Sequence, residues 1–353
     1  MAQWTSNVRT VVPYTPGEQP KNKVIKLNTN ENPYPPSPLV GKAISNADLD
    51  SLRKYPDPSC GKLVSALAKY HGFDDENIFV GVGSDDVLAM SFLTFFNSDK
   101  PVLFPDITYS FYDVWADLFR IPYINKPLRD DFTIDSSDYD EPCGGIIIPN
   151  PNAPTGIAEP VEFFEKIVKS HPECVVIVDE AYVDFGSESC IDLVRKYDNL
   201  LVVRTFSKSR AMAGSRIGYA IGSKELIKYL SDCKFSFNSY TMDSITLAAG
   251  VASIEDDEYF RARLSDVMRT REWTKAKLKE LGFSFPDSMS NFIFAAHESV
   301  PASFIFEKLK ERGIYVRYFS KPERISNYLR ISIGTDEEMQ VLIEELQNIL
   351  KGV

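Results

Sequence analysis

Residues able to hold a soft metal are scarce in this sequence. Three histidines (His71, His171, His297) stand far apart, and the five cysteines (Cys60, Cys143, Cys174, Cys190, Cys233) include no Cys-x-x-Cys pair. That spacing excludes a zinc finger and gives no catalytic metal site. An odd, unclustered cysteine count points to reduced thiols rather than to a disulfide framework. A Gly-x-Ser-x-Gly elbow is missing as well, which removes the commonest serine-hydrolase chemistry. Positive charge is short: 39 basic residues face 50 acidic ones, a net −11, so no nucleic-acid surface is expected. Long apolar runs are absent too. The longest uncharged stretch, residues 142–158, is interrupted by prolines and asparagines and does not suit a membrane. Met1 to Ser6 lack the basic and apolar regions of a signal peptide, so a cytoplasmic protein is expected.

What the sequence does have is bulk and order. With 353 residues, 44% of them apolar, the chain exceeds the size at which one core stops growing, and two domains are expected. A proline-rich start, Val12-Pro13-Tyr14-Thr15-Pro16 through Asn32-Pro33-Tyr34-Pro35-Pro36, reads as an extended arm over 1–38. Across 39–255, short apolar runs alternate with helical patterns: Ile78-Phe79-Val80, Val102-Leu103-Phe104, Ile146-Ile147-Ile148, Val175-Val176-Ile177-Val178 and Leu201-Val202-Val203. Continuous apolar strands separated by helices predict a mainly parallel sheet covered on both faces, an α/β domain. Over 256–353 the pattern changes to a long charged helix from Asp257 to Glu280, strands near Phe292 and Ile331, and helices over 302–312 and 336–351. This predicts a smaller α+β domain. No internal repeat is present.

Chemistry gathers where those strands end, which is where open α/β sheets bind ligands. After Val80 comes Gly81-Val82-Gly83-Ser84-Asp85-Asp86, a tight turn opening a helix whose first amides suit a phosphate. A dinucleotide fingerprint would need glycine where Asp86 stands. After Ile148 comes Pro149-Asn150-Pro151-Asn152-Ala153-Pro154-Thr155-Gly156, and after Val178 comes Asp179-Glu180-Ala181-Tyr182. An acid at a strand end is most often a helix cap, but a buried one can instead pair with a protonated ring nitrogen. Arg204-Thr205-Phe206-Ser207-Lys208 follows the last strand, with Arg216 eight residues beyond the lysine. Alone, this is a solvated surface loop. Together with the other motifs it is what pyridoxal 5′-phosphate (PLP) requires: an amine for its aldehyde and an anion clamp for its tail.

In this order the motifs resemble the fold-type I PLP-dependent aminotransferases, and more narrowly the histidinol-phosphate aminotransferase family. The narrower signs are Pro13-Tyr14-Thr15-Pro16-Gly17-Glu18-Gln19-Pro20, Leu27-Asn28-Thr29-Asn30-Glu31-Asn32-Pro33, Tyr55-Pro56-Asp57 and Leu329-Arg330-Ile331-Ser332-Ile333-Gly334-Thr335. The resemblance implies that Lys208 anchors the aldehyde, Asp179 holds the pyridinium nitrogen and Tyr182 the phenolic oxygen, with Tyr109 stacked on the ring. It implies a phosphate site from Gly83, Ser84, Asp85, Thr205, Ser207 and Arg216, completed by Tyr55 of a second copy, hence a homodimer. Substrate contacts fall to Tyr14, Asn30, Arg317 and Arg330, the last as a clamp for a phosphate or carboxylate. The implied reaction moves an amino group from histidinol phosphate to 2-oxoglutarate, yielding imidazole acetol phosphate and glutamate, a step of histidine biosynthesis. One departure stands out: the family's asparagine before Pro-Thr-Gly is Ala153 here, and either Asn152, one residue earlier, is its substitute or Tyr182 acts alone. An aromatic amino-acid aminotransferase, or a decarboxylase or lyase of the same fold, would keep the same cofactor residues. A non-catalytic PLP-fold regulator is expected to carry a DNA-binding segment, for which these motifs leave no room.

Overall fold

The computed structural model describes residues 3–352. Met1 and Ala2, at the start of the expected arm, and Val353, at the end of the expected C-terminal domain, lie outside the described residues. The strands are β1 (Ile25–Leu27), β2 (Ile78–Val82), β3 (Val102–Pro105), β4 (Tyr123–Lys126), β5 (Gly145–Pro149), β6 (Val176–Asp179), β7 (Leu200–Thr205), β8 (Ile217–Gly222), β9 (Phe283–Ser284), β10 (Phe292–His297), β11 (Ile314–Tyr318) and β12 (Leu329–Ser332). The helices are α1 (Pro38–Ser45), α2 (Gly61–His71), α3 (Gly83–Phe95), α4 (Tyr112–Phe119), α5 (Val161–Ser170), α6 (Lys224–Phe237), α7 (Ser244–Glu255), α8 (Asp257–Glu280), α9 (Ala302–Glu311) and α10 (Asp336–Lys351).

Seven strands form one sheet in the order β2-β8-β7-β6-β5-β3-β4. From β7 to β4 every pairing is parallel, and β8 alone runs against its neighbours β2 and β7. The apolar runs dictate this burial. Ile146, Ile148, Val176, Val178, Leu200 and Val202 pack on one face, while Ile147, Ile177, Leu201 and Val203 pack on the other. Alternation with a period of two therefore fills two cores, and a strand apolar at every position has no solvated face.

A second sheet, β1-β11-β12-β10-β9, is antiparallel except for β1, which lies parallel to β11. Its core takes Phe292, Ile293, Ile331, Leu309, Leu342 and Leu346 from strands and flanking helices. Thr335 and Glu338 close a capping box that starts α10 where the sequence turns amphipathic. The expected arm is not extended throughout, because Gln3–Asn7 forms a 3-10 helix, and it does not stand apart, because Ile25–Leu27 supplies the edge strand of this sheet. Those three residues have no periodic pattern of their own, and only pairing to β11 makes them a strand.

Candidate active site

Each parallel strand delivers one loop to the same end of the large sheet. β2 leads into α3, β3 into the turn holding Tyr109, β5 into 150–156, β6 into Glu180–Tyr182, and β7 into Phe206–Lys208. These loops enclose a cavity of about 170 Å³ whose walls include Ser84, Tyr109, Asp179, Tyr182, Lys208 and Arg216.

Asp179 ends β6 and is buried. Its carboxylate accepts from the Tyr112 hydroxyl (2.8 Å) and from the Ala181 N–H (3.2 Å), and neither partner carries a charge. Desolvation pushes the carboxyl up to about 6, against the pull of those two hydrogen bonds. A cation placed before it would be held strongly. Lys208 contributes the cavity's amine, with Nζ 3.4 Å from the Thr29 carbonyl oxygen and 5.5 Å from the Tyr182 ring centre. The Tyr182 hydroxyl accepts from Asn30 Nδ2 at 2.9 Å, which leaves its own hydrogen free to be donated. Asn30 is itself fixed by the small sheet. Its backbone N–H donates to Ser332 Oγ, and its carbonyl accepts from Asn291 Nδ2. It therefore orients Tyr182.

The anion end is built on α3. The first amides of this helix have no side-chain cap and point their dipole toward the cavity. Arg216, in the left-handed region at φ 52°, lays its guanidinium over Gly83. A Cβ on Gly83 would lie 2.5 Å from Arg216 Nη2, so the glycine makes the space. Arg216 bonds Asp85 Oδ2 (3.0 Å) and Ser207 Oγ (3.4 Å), and Thr205 Oγ1 lies 3.0 Å from Ser207 Oγ. The Asp85 carboxylate would repel an anion, so it is the backbone N–H of this residue, among the first amides of α3, that suits the expected phosphate contact. The carboxylate ties down Arg216 and accepts from the Tyr109 hydroxyl at 2.7 Å. Burial and the Asp85 charge keep that phenol protonated.

A second cavity of about 350 Å³ shares Tyr109 and Ala153 with the first and is lined by Tyr14, Arg317 and Arg330. Arg317 on β11 and Arg330 on β12 are direct register partners. Like charges facing each other across a ladder cost stability. Arg330 Nε is moreover buried without a hydrogen-bond partner, although Nη2 donates to the Asn28 carbonyl at 3.0 Å. Desolvation, reinforced by the Arg317 charge, makes the Arg330 guanidinium less basic than usual. An anion between the two arginines would relieve all of these costs at once. Tyr14 reaches this place by stacking on Phe111, with ring centres 4.3 Å apart.

Two expected residues stand elsewhere. Asn152 does not enter the cavity: its side chain accepts from Thr108 and donates to the Ile107 carbonyl and Thr155, which folds the 150–156 loop. Ala153 takes the wall position, so Asn152 is no substitute for the family's asparagine. Tyr55 lies outside this chain's own cavity, 81% exposed and stacked on Tyr240. Thr29 and Glu31, which the sequence offers only as part of the Leu27–Pro33 motif, line the cavity as well. Tyr112 sits three residues from Tyr109 in an aromatic run, a pattern that says core, and it is fully buried, with only its hydroxyl on Asp179 betraying a second task.

This donor set fits PLP: Asp179 for the ring nitrogen, Tyr182 for the phenolic oxygen, Lys208 for the aldehyde, and Ser84, Ser207, Arg216 and the α3 amides for the phosphate.

The family model described as aminotransferase class I and II matches residues 22–346. The chain is 51% identical to a histidinol-phosphate aminotransferase of Clostridium botulinum (strain Okra / Type B1) over 98% of both chains. It is 50% identical to one of Brachyspira hyodysenteriae over 99% of both. Among solved structures, the histidinol-phosphate aminotransferase of Sinorhizobium meliloti in complex with pyridoxal-5′-phosphate superposes with a TM-score of 0.84 at 25% identity, covering 94% of this chain and 92% of that one.

Proposed function

The chain belongs to the class I and II aminotransferases, among the histidinol-phosphate aminotransferases, and from this premise we propose that it transfers the amino group of histidinol phosphate to 2-oxoglutarate with PLP as cofactor. The observation that carries the substrate reading is the Arg317–Arg330 pair facing across β11 and β12 beside the Lys208 cavity. Histidinol phosphate brings a phosphate and 2-oxoglutarate a carboxylate, so one clamp serves both half-reactions.

Bound in the cavity, PLP supplies an aldehyde that links to amines and a protonated ring that draws electrons from the bond broken at the substrate carbon. The protein does the rest. Lys208 anchors the aldehyde and, once a substrate amine has taken its place, is the group that removes the proton from the substrate Cα. Asp179 keeps the ring nitrogen protonated, and Tyr112 orients Asp179 by its hydrogen bond. Tyr182, held by Asn30, donates to the phenolic oxygen in place of the asparagine that Ala153 replaces. Tyr109 covers the ring face. Arg330 binds the anion of either substrate, and Arg317 takes the oxygens that only a phosphate has to spare.

The same reading includes a homodimer in which Tyr55 completes the partner's phosphate site. Leu49, Leu52, Tyr55 and Phe237 all expose large apolar side chains, and this exposure supports a covered face there. We place the arm at 1–38, the large domain at 39–255 and the small domain at 256–353. In support, β2–β8 all fall in the second range and β9–β12 in the third, with α7 ending at Glu255 and α8 starting at Asp257. A cytoplasmic location accords with free cysteines and with the absence, among the described residues, of a helix long and apolar enough to cross a membrane.

Amine-donor profiling with 2-oxoglutarate as acceptor tests the assignment. Histidinol phosphate should be consumed with a higher kcat/KM than phenylalanine or tyrosine. Losing a charge-assisted arginine contact costs about 1.5–3 kcal/mol, so Arg317→Ala should lose at least about tenfold toward histidinol phosphate and less toward glutamate. Faster turnover of the aromatic amino acids would hand the site to an aromatic aminotransferase.

A further inference from the structure

At the opposite end of the large sheet from the Lys208 cavity, two cysteines meet. Cys143 lies just before β5 and Cys174 just before β6, neighbouring parallel strands in the register Ile146↔Val176. Counting back along that register leaves the two cysteines one residue out of step. With strands about 4.8 Å apart and a rise of about 3.3 Å per residue, their Cα atoms are on the order of 6 Å apart, inside the span a disulfide bridges. The sulfurs already touch at 3.6 Å, as free thiols. The segment carrying Cys174 is fixed, because the Asn199 amide donates to the carbonyls of Val168, His171 and Cys174.

The pair is reachable. Cys143 is buried and Cys174 half-buried, and both line an open hollow of about 500 Å³ that also presents Lys100, Glu173 and Tyr229. None of these residues serves the active site. Among the described residues no third metal ligand gathers with the two sulfurs, so the chemistry available is that of a dithiol.

We propose that Cys143 and Cys174 form a site of reversible thiol–disulfide exchange that reacts with low-molecular-weight disulfides entering the hollow. The Cys143 thiolate attacks one sulfur of the incoming disulfide, forming a mixed disulfide and expelling one thiolate. Cys174 then gives its proton to solvent and attacks the Cys143 sulfur, expelling the second. Two protein thiols are oxidised to one S–S bond, and the small disulfide is reduced to two thiols. The contact itself favours the reaction. A thiolate on one sulfur accepts the hydrogen of the other, so Cys143 ionises more readily than an ordinary thiol, near pH 7, with the nearby His171 assisting and burial opposing.

The purified holoenzyme, incubated with oxidised glutathione and then denatured and alkylated, gives the test. Alkylatable thiols should fall from the five of the sequence to three, the mass should drop by two hydrogens, and one linked peptide should join Cys143 to Cys174. Dithiothreitol should restore all five. Cys174→Ser, at a half-buried position, should abolish the link and leave the mixed disulfide trapped on Cys143. Five thiols after treatment of the wild type, or a lasting glutathione adduct on one cysteine of the wild-type pair with the other still free, would overturn the proposal. The wild-type peptide map decides the matter even if the Cys174 variant fails to fold, and no assignment of the active site enters it.

Discussion

Among the described residues no cation pairs with the Asp179 carboxylate, whose two partners are neutral donors. Its carboxyl pKa is raised from 3.8 to about 6 by desolvation, which is worth roughly 3 kcal/mol against the folded state once the group ionises. The sign follows from the direction of the shift. A carboxyl with a raised folded pKa contributes stability below its unfolded value and loses it as pH rises through the folded one. Cofactor-free Asp179→Asn should therefore unfold at a higher temperature than the cofactor-free parent at pH 7.5, with the gap closing as pH falls from about 6 to 4. The Tyr112 hydroxyl can turn to serve an amide, so the exchange leaves packing alone. Only the difference between the two proteins is informative, because His71 works the other way. Desolvation and the Arg204 charge lower its pKa to about 3, so its contribution is present above the ordinary histidine value and lost in acid. A gap that stays constant across pH would mean that Asp179 is not buried as a charge. Lys208, Asp179 and Tyr182 were legible because three motifs at strand ends agreed. Tyr112 was not, since an aromatic residue at helical spacing says core whether or not its hydroxyl has work to do. Asn152 misled for a related reason: sequence proximity to Ala153 says nothing of the direction in which a loop amide points.

Between residue and fold, the phosphate seat is a close approach of three elements. Gly218 on β8 leaves room for the turn into α3; a Cβ there would meet the Gly83 carbonyl carbon and the Ser84 nitrogen at 2.2 Å. Gly83 in turn leaves room for Arg216 and adopts φ 81°, a conformation that side chains resist. Gly83→Ala should thus push the guanidinium from its place and weaken PLP binding to the apoenzyme by about tenfold or more, with no polar group removed. Gly41→Ala is the control, since open space surrounds its Cβ position on α1. Equal PLP affinity in the two variants would refute a seat shaped by Gly83. Element patterns account for what was readable at this scale. β5, β6 and β7 are built on continuous apolar runs and fall within two residues of their expected bounds. β8 hid behind its two glycines, which dilute an otherwise apolar strand, and β4 is a sheet edge with exposed residues and no clear period. β1 is too short for any pattern and exists only through its partner.

At the scale of the whole molecule, the two sheets depend on each other at the site, because Asn30 joins Ser332 of the small sheet to Tyr182 of the large one. On the proposed reading, Tyr55 extends that dependence beyond one chain. It stands 81% exposed, and the segment behind it is tethered by Lys234, whose ammonium donates to the carbonyls of Pro58 and Val80 at 3.3 Å. A rigid mounting for an exposed tyrosine makes sense if the ring serves another subunit. Combining Tyr55→Phe chains with Lys208→Ala chains tests this directly. In a mixed dimer with exchanged tyrosines, one site draws Lys208 from the first chain and Tyr55 from the second, and is wild type; the other site carries both defects. Random pairing at equal amounts makes half the dimers mixed, so about a quarter of all sites should regain full activity. The gain should be visible above the Tyr55→Phe parent, because a lost hydrogen bond to a phosphate costs about 1.5–3 kcal/mol. If each chain used its own Tyr55, every Lys208-bearing site would keep its phenylalanine. Mixing would then give only half the activity of the Tyr55→Phe protein, and the shared site would be refuted.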